Sequence, residues 1–155
     1  MKLFLIIIAI IIILILAIYV NHRIRLIKEA KFLSPLGEIV QVDGNNLSVY
    51  TEGDGETTLI FMSGAGTSSP ILDFKSLYSC LSDKYKIAVV EKFGYGFSDV
   101  VDKSRDIDSM LEDTIAALTA AGLNAPYVLC PHSMSGLEAL YLSLIHISEP
   151  TRLGM

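Results

Sequence analysis

The chain has 155 residues, 52% of them hydrophobic, which is too apolar for an unstructured polymer and enough for about one folded domain. From Phe32 to Tyr141 there are 15 acidic residues against 6 basic ones, a formal charge of −9, which argues against nucleic acid as a partner. The two cysteines, Cys80 and Cys130, form neither a disulfide framework nor a CxxC pair, and no His or carboxylate cluster offers a metal site, so both thiols are expected to be buried.

The first element in the chain is Leu3 to Val20, LFLIIIAIIIILILAIYV, 18 residues without a charge. At about 1.5 Å per residue it reaches roughly 27 Å, close to the thickness of a hydrocarbon core, and it is expected to span the lipid bilayer. The exit AIYVNHR lacks the small-x-small pattern of a cleavage site, which favours an uncleaved single-pass anchor in the cell membrane over a signal peptide. Arg23, Arg25, Lys28 and Lys31 follow the span and Lys2 precedes it, a count that leans towards a cytoplasmic body. The basic segment NHRIRLIKEAK is expected to continue the helix, so that residues 1–31 form the anchor and its juxtamembrane extension.

Residues 32–141 read as one domain fragment. GEIVQV (37–42) and LSVYT (47–51) alternate apolar and polar residues around Asp43-Gly44-Asn45-Asn46, the pattern of a hairpin with its turn. TTLIFM (57–62) and IAVV (87–90) are continuous apolar runs, as strands buried on both faces should be. Between them Ser69-Pro70 supplies a helix start, with Leu72, Phe74, Leu77, Tyr78 and Leu81 as an apolar face. A second helix follows Asp106, with Ile107, Met110, Leu111, Ile115 and Leu118 at helical spacing and Gly122 at its end. YVLC (127–130) gives another buried strand and GLEALY (136–141) a helix start.

A hairpin followed by alternating strands and helices implies an α/β fold, with a mostly parallel sheet covered on both faces. Active sites in such sheets lie at the carboxyl ends of the strands. Three loops occupy those ends here: SGAGT (63–67), EKFGYGFSD (91–99) and PHSMSG (131–136). In the last of these an apolar run, VLC, breaks into small residues around Ser133, as a tight strand-to-helix turn with strained backbone angles requires.

These three segments, in this order, resemble the amino-terminal half of the α/β-hydrolase family over roughly Gly37 to Tyr141. HSMSG looks like the family's nucleophile elbow, SGAG like its oxyanion loop and EKFGYGFSD like its D-x-x-G-x-G-x-S segment. The resemblance implies that Ser133 is a nucleophile attacking an acyl carbonyl. The backbone N–H groups of Met134 and Ala65 would then hold the oxyanion, and Gly64 and Gly66 would let the loop approach the substrate. Two positions depart from the usual G-x-S-x-G, with Pro131 and Ser135 where glycines are common. Ser135 is small enough, Gly136 relieves the next position, and Pro131 is tolerable at a strand end. The departures leave open a non-catalytic, membrane-tethered binding or interaction protein on the same scaffold.

Other uses of the glycines fit less well. Gly64-x-Gly66 and Gly94-x-Gly96 lack the third glycine of a dinucleotide fingerprint, and no G-K-[ST] exists, so no cofactor is expected. A serine at 133 argues against the family's members with a carboxylate nucleophile. Glu91 is expected to secure its loop rather than to act in chemistry.

The family's order of serine, acid, then histidine is not completed here. Of three histidines, His22 lies beside the span, His132 inside the elbow and His146 only 13 residues past Ser133. The segment LSLIHISEPTR (142–152) is the codon-for-codon translation of what looks like a transposase-type sequencing-library adapter, so residues 142–155 are expected to be adapter-derived. The triad's acid and histidine are therefore expected to be absent from this chain. What remains implies a membrane-anchored serine hydrolase acting on a small-molecule ester or amide, cut after its elbow and inactive as it stands, with the YVLC strand left as a sheet edge.

Overall fold

The computed structural model describes residues 2–31 and 33–145, in two compact units that divide between Ser34 and Pro35. The first unit is a single helix, α1 (Lys2–Glu29), 28 residues long or roughly 42 Å at 1.5 Å per residue. Among the described residues it is the one helix long and apolar enough to cross a membrane. It continues through His22 to Glu29, as the basic segment led one to expect.

The second unit is built on a five-stranded sheet. Its strands are β1 (Glu38–Val42), β2 (Asn45–Glu52), β3 (Thr58–Met62), β4 (Lys86–Glu91) and β5 (Tyr127–Pro131), in the spatial order β1-β2-β4-β3-β5. β3 pairs parallel with β4 and β5, whereas β2 pairs antiparallel with β1 and β4, so the sheet is mixed. The β1–β2 hairpin closes through Asp43 and Gly44 alone, with φ of +51° and +76°. Both central residues at positive φ make the primed turn that matches strand twist, and Asn45 and Asn46 belong to β2 rather than to the turn.

The continuous apolar runs are explained by cover on both faces. Ile60, Met62, Ala88 and Val90 point to one side, where they pack with Val40, Leu47 and Val49 against Leu111, Ala117 and Leu118 of α4 (Ile107–Ala120) and Ala139 of α5 (Ser135–Ile145). Leu59, Phe61, Ile87 and Val89 point to the other, against Ile71 and Tyr78. α4 begins where its cap directs, with Asp106 accepting from the Ser109 N–H at 2.8 Å, and ends before Gly122 at φ +73°.

Four expectations change in detail. Residues 70–78 form two four-residue helices, α2 (Pro70–Asp73) and α3 (Lys75–Tyr78), instead of one. The buried face is Ile71 and Tyr78, seven residues apart, with Phe74 and Leu81 packed beside them, while Leu72 and Leu77 lie off that face and are exposed. β5 is only partly buried, with Val128 exposed, because among the described residues it pairs on one side alone. Cys80 is exposed and Cys130 half-buried, where burial pushes its thiol up from the ordinary range. The candidate adapter segment begins within α5, whose Leu142 is buried in the larger core, while His146 lies outside the described residues.

Candidate active site

The three carboxyl-end loops converge on the junction of β5 and α5. Ser133 sits in that junction at φ +58°, one of two non-glycine residues in the described chain with positive φ. A serine gains nothing locally from this conformation, which costs about 1–3 kcal/mol, so the surroundings must impose it. They do so through Ser135, which is fully buried. Its Oγ accepts from the His132 N–H at 2.8 Å and lies 2.7 Å from the Met62 carbonyl and 2.8 Å from the His132 carbonyl, either of which can take its proton. The His132 N–H also reaches the Met62 carbonyl at 3.0 Å, tying the elbow to the end of β3.

These contacts account for both departures from G-x-S-x-G. Pro131 closes the β5 ladder opposite Met62, and the Met62 carbonyl finds its donors at His132 and Ser135 instead. Ser135 is more than small enough, since its hydroxyl is a structural part of the turn. Gly136, expected to relieve a close approach, has open space where a Cβ would be, and the close approach lies elsewhere.

That approach is at Gly64. A Cβ added there would stand 2.8 Å from the Ser133 Cβ, 3.0 Å from the His132 carbonyl oxygen and 3.3 Å from the Ser133 Oγ. The loop after β3 thus passes directly over the elbow, which only glycine permits. Ser133 and Met134 are exposed at the surface, as is Ala65, while Gly64 is buried. Gly66, at φ +78°, donates its N–H to the Tyr95 hydroxyl at 3.1 Å, so the loop after β4 steadies this one.

The EKFGYGFSD segment is held by its own carboxylates. Glu91 is fully buried and accepts from the Ser69 hydroxyl at 2.8 Å and the Phe97 N–H at 2.9 Å. Its carboxylate lies against Gly96, where a Cβ would come within 2.0 Å. Asp99 accepts from the Asn46 N–H at 2.7 Å, and the Ser98 hydroxyl accepts from the Ser48 N–H at 2.9 Å and donates to the Glu91 carbonyl. Glu91 therefore secures its loop, as its place in the sequence suggested.

No histidine or acid partner stands beside Ser133 among the described residues of this unit in the arrangement a triad needs. His132 is exposed, its ring edge-on to Phe74 at 6.1 Å between centroids. No group of three or more His, Cys, Asp or Glu residues capable of holding a metal ion occurs among the described residues. A cleft of about 300 Å³ opens on the α4 side of β5, lined by Met62, Leu118, Tyr127, Leu129 and Leu142, and neither Ser133 nor Gly64 borders it.

Sequence reasoning missed one polar constellation. Lys92 and Glu138 are both buried, and the Lys92 Nζ lies 2.6 Å from each Glu138 carboxylate oxygen and 3.1 Å from the Ser63 carbonyl oxygen. The available signals were a lysine directly after a buried strand and a single acid in the apolar start of α5. Ser63 is itself fully buried, and its Oγ has no hydrogen-bond partner among the described residues.

No family model matches the sequence. It is similar to the uncharacterized protein YbdG of Bacillus subtilis (strain 168), 47% identical over 125 residues that make up 81% of this chain and 38% of that protein. Among solved structures, it resembles an α/β-hydrolase fold protein from Burkholderia ambifaria with a TM-score of 0.60 at 22% identity, over 72% of this chain and 40% of the other. It also resembles a meta-cleavage product hydrolase from Pseudomonas fluorescens IP01, with a TM-score of 0.65 at 19% identity over 72% of this chain and 41% of that one. The chain spans about two fifths of the length of each of these three proteins.

Proposed function

From the α/β-hydrolase fold of this chain, we propose that the natural protein carrying it is a membrane-anchored serine hydrolase that cleaves a small-molecule ester or amide through an acyl-enzyme. The observation that carries this reading is the pairing of a strained Ser133, at φ +58°, with a Gly64 backbone that leaves no room for a Cβ beside it. Strain at a solvent-exposed serine is hard to account for unless the hydroxyl is presented to something. The structural relatives that are named hydrolases lend the scaffold the same use.

In this mechanism the Ser133 Oγ bonds to the acyl carbon as its proton passes to a histidine. The carbonyl oxygen gains negative charge, which the backbone N–H groups of Met134 and Ala65 stabilise, a kind of contact worth roughly 10²–10³ in rate per donor. The leaving group departs with that proton, and water then releases the acyl group by the same steps. The histidine and its acid partner come from beyond Tyr141, in the part of the protein that residues 142–155, as adapter-derived sequence, have replaced. The 155-residue chain is accordingly inactive. α1 serves as an uncleaved anchor that leaves the body on the cytoplasmic side, and residues 32–141 are the first half of the hydrolase domain.

The test has two parts. A long read of the source DNA across the Tyr141 codon should continue into further strands carrying an Asp or Glu and then a His. The full-length protein should hydrolyse short acyl esters, and Ser133→Ala should abolish the activity. A stop codon directly after Met155 in the natural gene, or esterase activity untouched by Ser133→Ala, would overturn the proposal.

A further inference from the structure

The buried ion pair found beside the elbow joins three segments that the sequence keeps far apart. Lys92 ends the run out of β4, Ser63 begins the loop after β3, and Glu138 lies in the first turn of α5. One ammonium group touches all three: both Glu138 oxygens at 2.6 Å and the Ser63 carbonyl at 3.1 Å. The carboxylate stands near the positive end of α5, a second favourable interaction for it.

We infer that Lys92 and Glu138 are positioning residues for the proposed reaction, clamping the loop that carries Gly64 and Ala65 to the helix that begins at the nucleophile. This inference rests on the reading of Ser133 as that nucleophile. The physical link is the planar peptide: the Ser63 carbonyl and the Gly64 N–H are parts of one rigid unit, so a donor fixed on the Ser63 oxygen fixes the plane in which Gly64 leaves it. Gly64 then meets Ser133 at contact distance, and Ala65 follows. Without the clamp, the loop keeps the Gly66–Tyr95 bond on its far side and the His132 and Ser135 bonds to the Met62 carbonyl one peptide earlier, but the Ser63–Gly64 peptide loses the Lys92 donor on its oxygen. Simple stability does not explain the pair, because a buried ion pair is often no more stabilising than apolar residues of similar size.

The test compares the full-length protein with Lys92→Met, Glu138→Leu and the double variant. Each single variant leaves a buried charge unpaired and is expected to lose thermal stability. The double variant removes both charges and is expected to recover it. The readouts are fluorophosphonate inactivation kinetics and hydrogen exchange of the 63–66 amides. In the double variant the maximal inactivation rate should fall roughly 10- to 100-fold with the half-saturating probe concentration unchanged, as expected for a displacement approaching 1 Å at a reacting centre. The 63–66 amides should exchange faster while those of β3 and β4 do not. A stable double variant with wild-type inactivation rate and wild-type exchange would overturn the clamp. A full-length wild type that the probe never modifies would instead overturn the nucleophile reading, and the exchange pattern would still decide for or against the clamp.

Discussion

Gly64→Ala puts the geometry at the elbow under direct strain. The new Cβ would stand 2.8 Å from the Ser133 Cβ and 3.0 Å from the His132 carbonyl oxygen. Carbon atoms pack best at about 3.5–4.0 Å, so the shortfall against Ser133 is roughly 0.7–1.2 Å. Neither neighbour is the free end of a flexible side chain. The elbow is stitched to β3 by Ser135 and His132, so the loop after β3 must move by about 1 Å. Such overpacking typically costs about 1–3 kcal/mol in stability, and a misplacement of that size at a reacting centre about 10²-fold in rate. The assay is the second-order rate of fluorophosphonate labelling of the full-length protein, measured beside its thermal unfolding. A roughly 100-fold slower rate with a melting temperature lowered by only a few degrees is expected. Labelling at the wild-type rate in a folded Gly64→Ala protein would refute the claim that this glycine sets the loop against a working nucleophile.

Gly136→Ala is the matching control, since the site has open space and lies in the first turn of α5. Alanine should leave the melting temperature unchanged or raise it, by up to about 1 kcal/mol of stability, and a clear fall would contradict the contact map of the elbow. Ser135→Ala removes a buried hydroxyl that bridges His132 and Met62, and should cost about 1–3 kcal/mol in a denaturant titration; an unchanged midpoint would contradict its role in the turn. Asp106, the cap of α4, is held down to about 2 from an ordinary 3.8 by the Ser104 hydroxyl first and then by the Ser109 N–H. Because its pKa is lowered on folding, its contribution to stability is present above the unfolded value and is lost as pH falls through the folded one. The stability difference between wild type and Asp106→Asn should therefore shrink between about pH 4 and pH 2, and a difference that stays constant there would contradict the cap.

Much of this fold was legible because burial on both faces leaves a plain mark. Leu59 to Met62 and Ile87 to Val90 have no polar residue to spare, and the structure divides them alternately between two cores. The Asp106 cap and Gly122 bounded α4 from local chemistry alone. The face of residues 70–78 was misjudged because nearly every apolar residue was assigned to it: Ile71, Phe74, Tyr78 and Leu81 share one side at helical spacing, and Leu72 and Leu77 fall off it at the surface. At the candidate site, Ser133 was legible because a tight turn demands small neighbours. Lys92 and Glu138 were not, since they lie 46 positions apart and each looks like an ordinary surface charge until the sheet brings them together. The hydroxyl of Ser135 was likewise invisible, because its partner, the Met62 carbonyl, is supplied by a strand 73 positions away.

The most direct test is to treat the full-length natural protein with a fluorophosphonate and to locate the adduct by peptide mass spectrometry. A single adduct on Ser133, absent from the Ser133→Ala protein and from residues 1–141 produced alone, is the predicted result. No adduct on a folded full-length protein, or one that persists after Ser133→Ala, would contradict the assignment of Ser133 as the nucleophile.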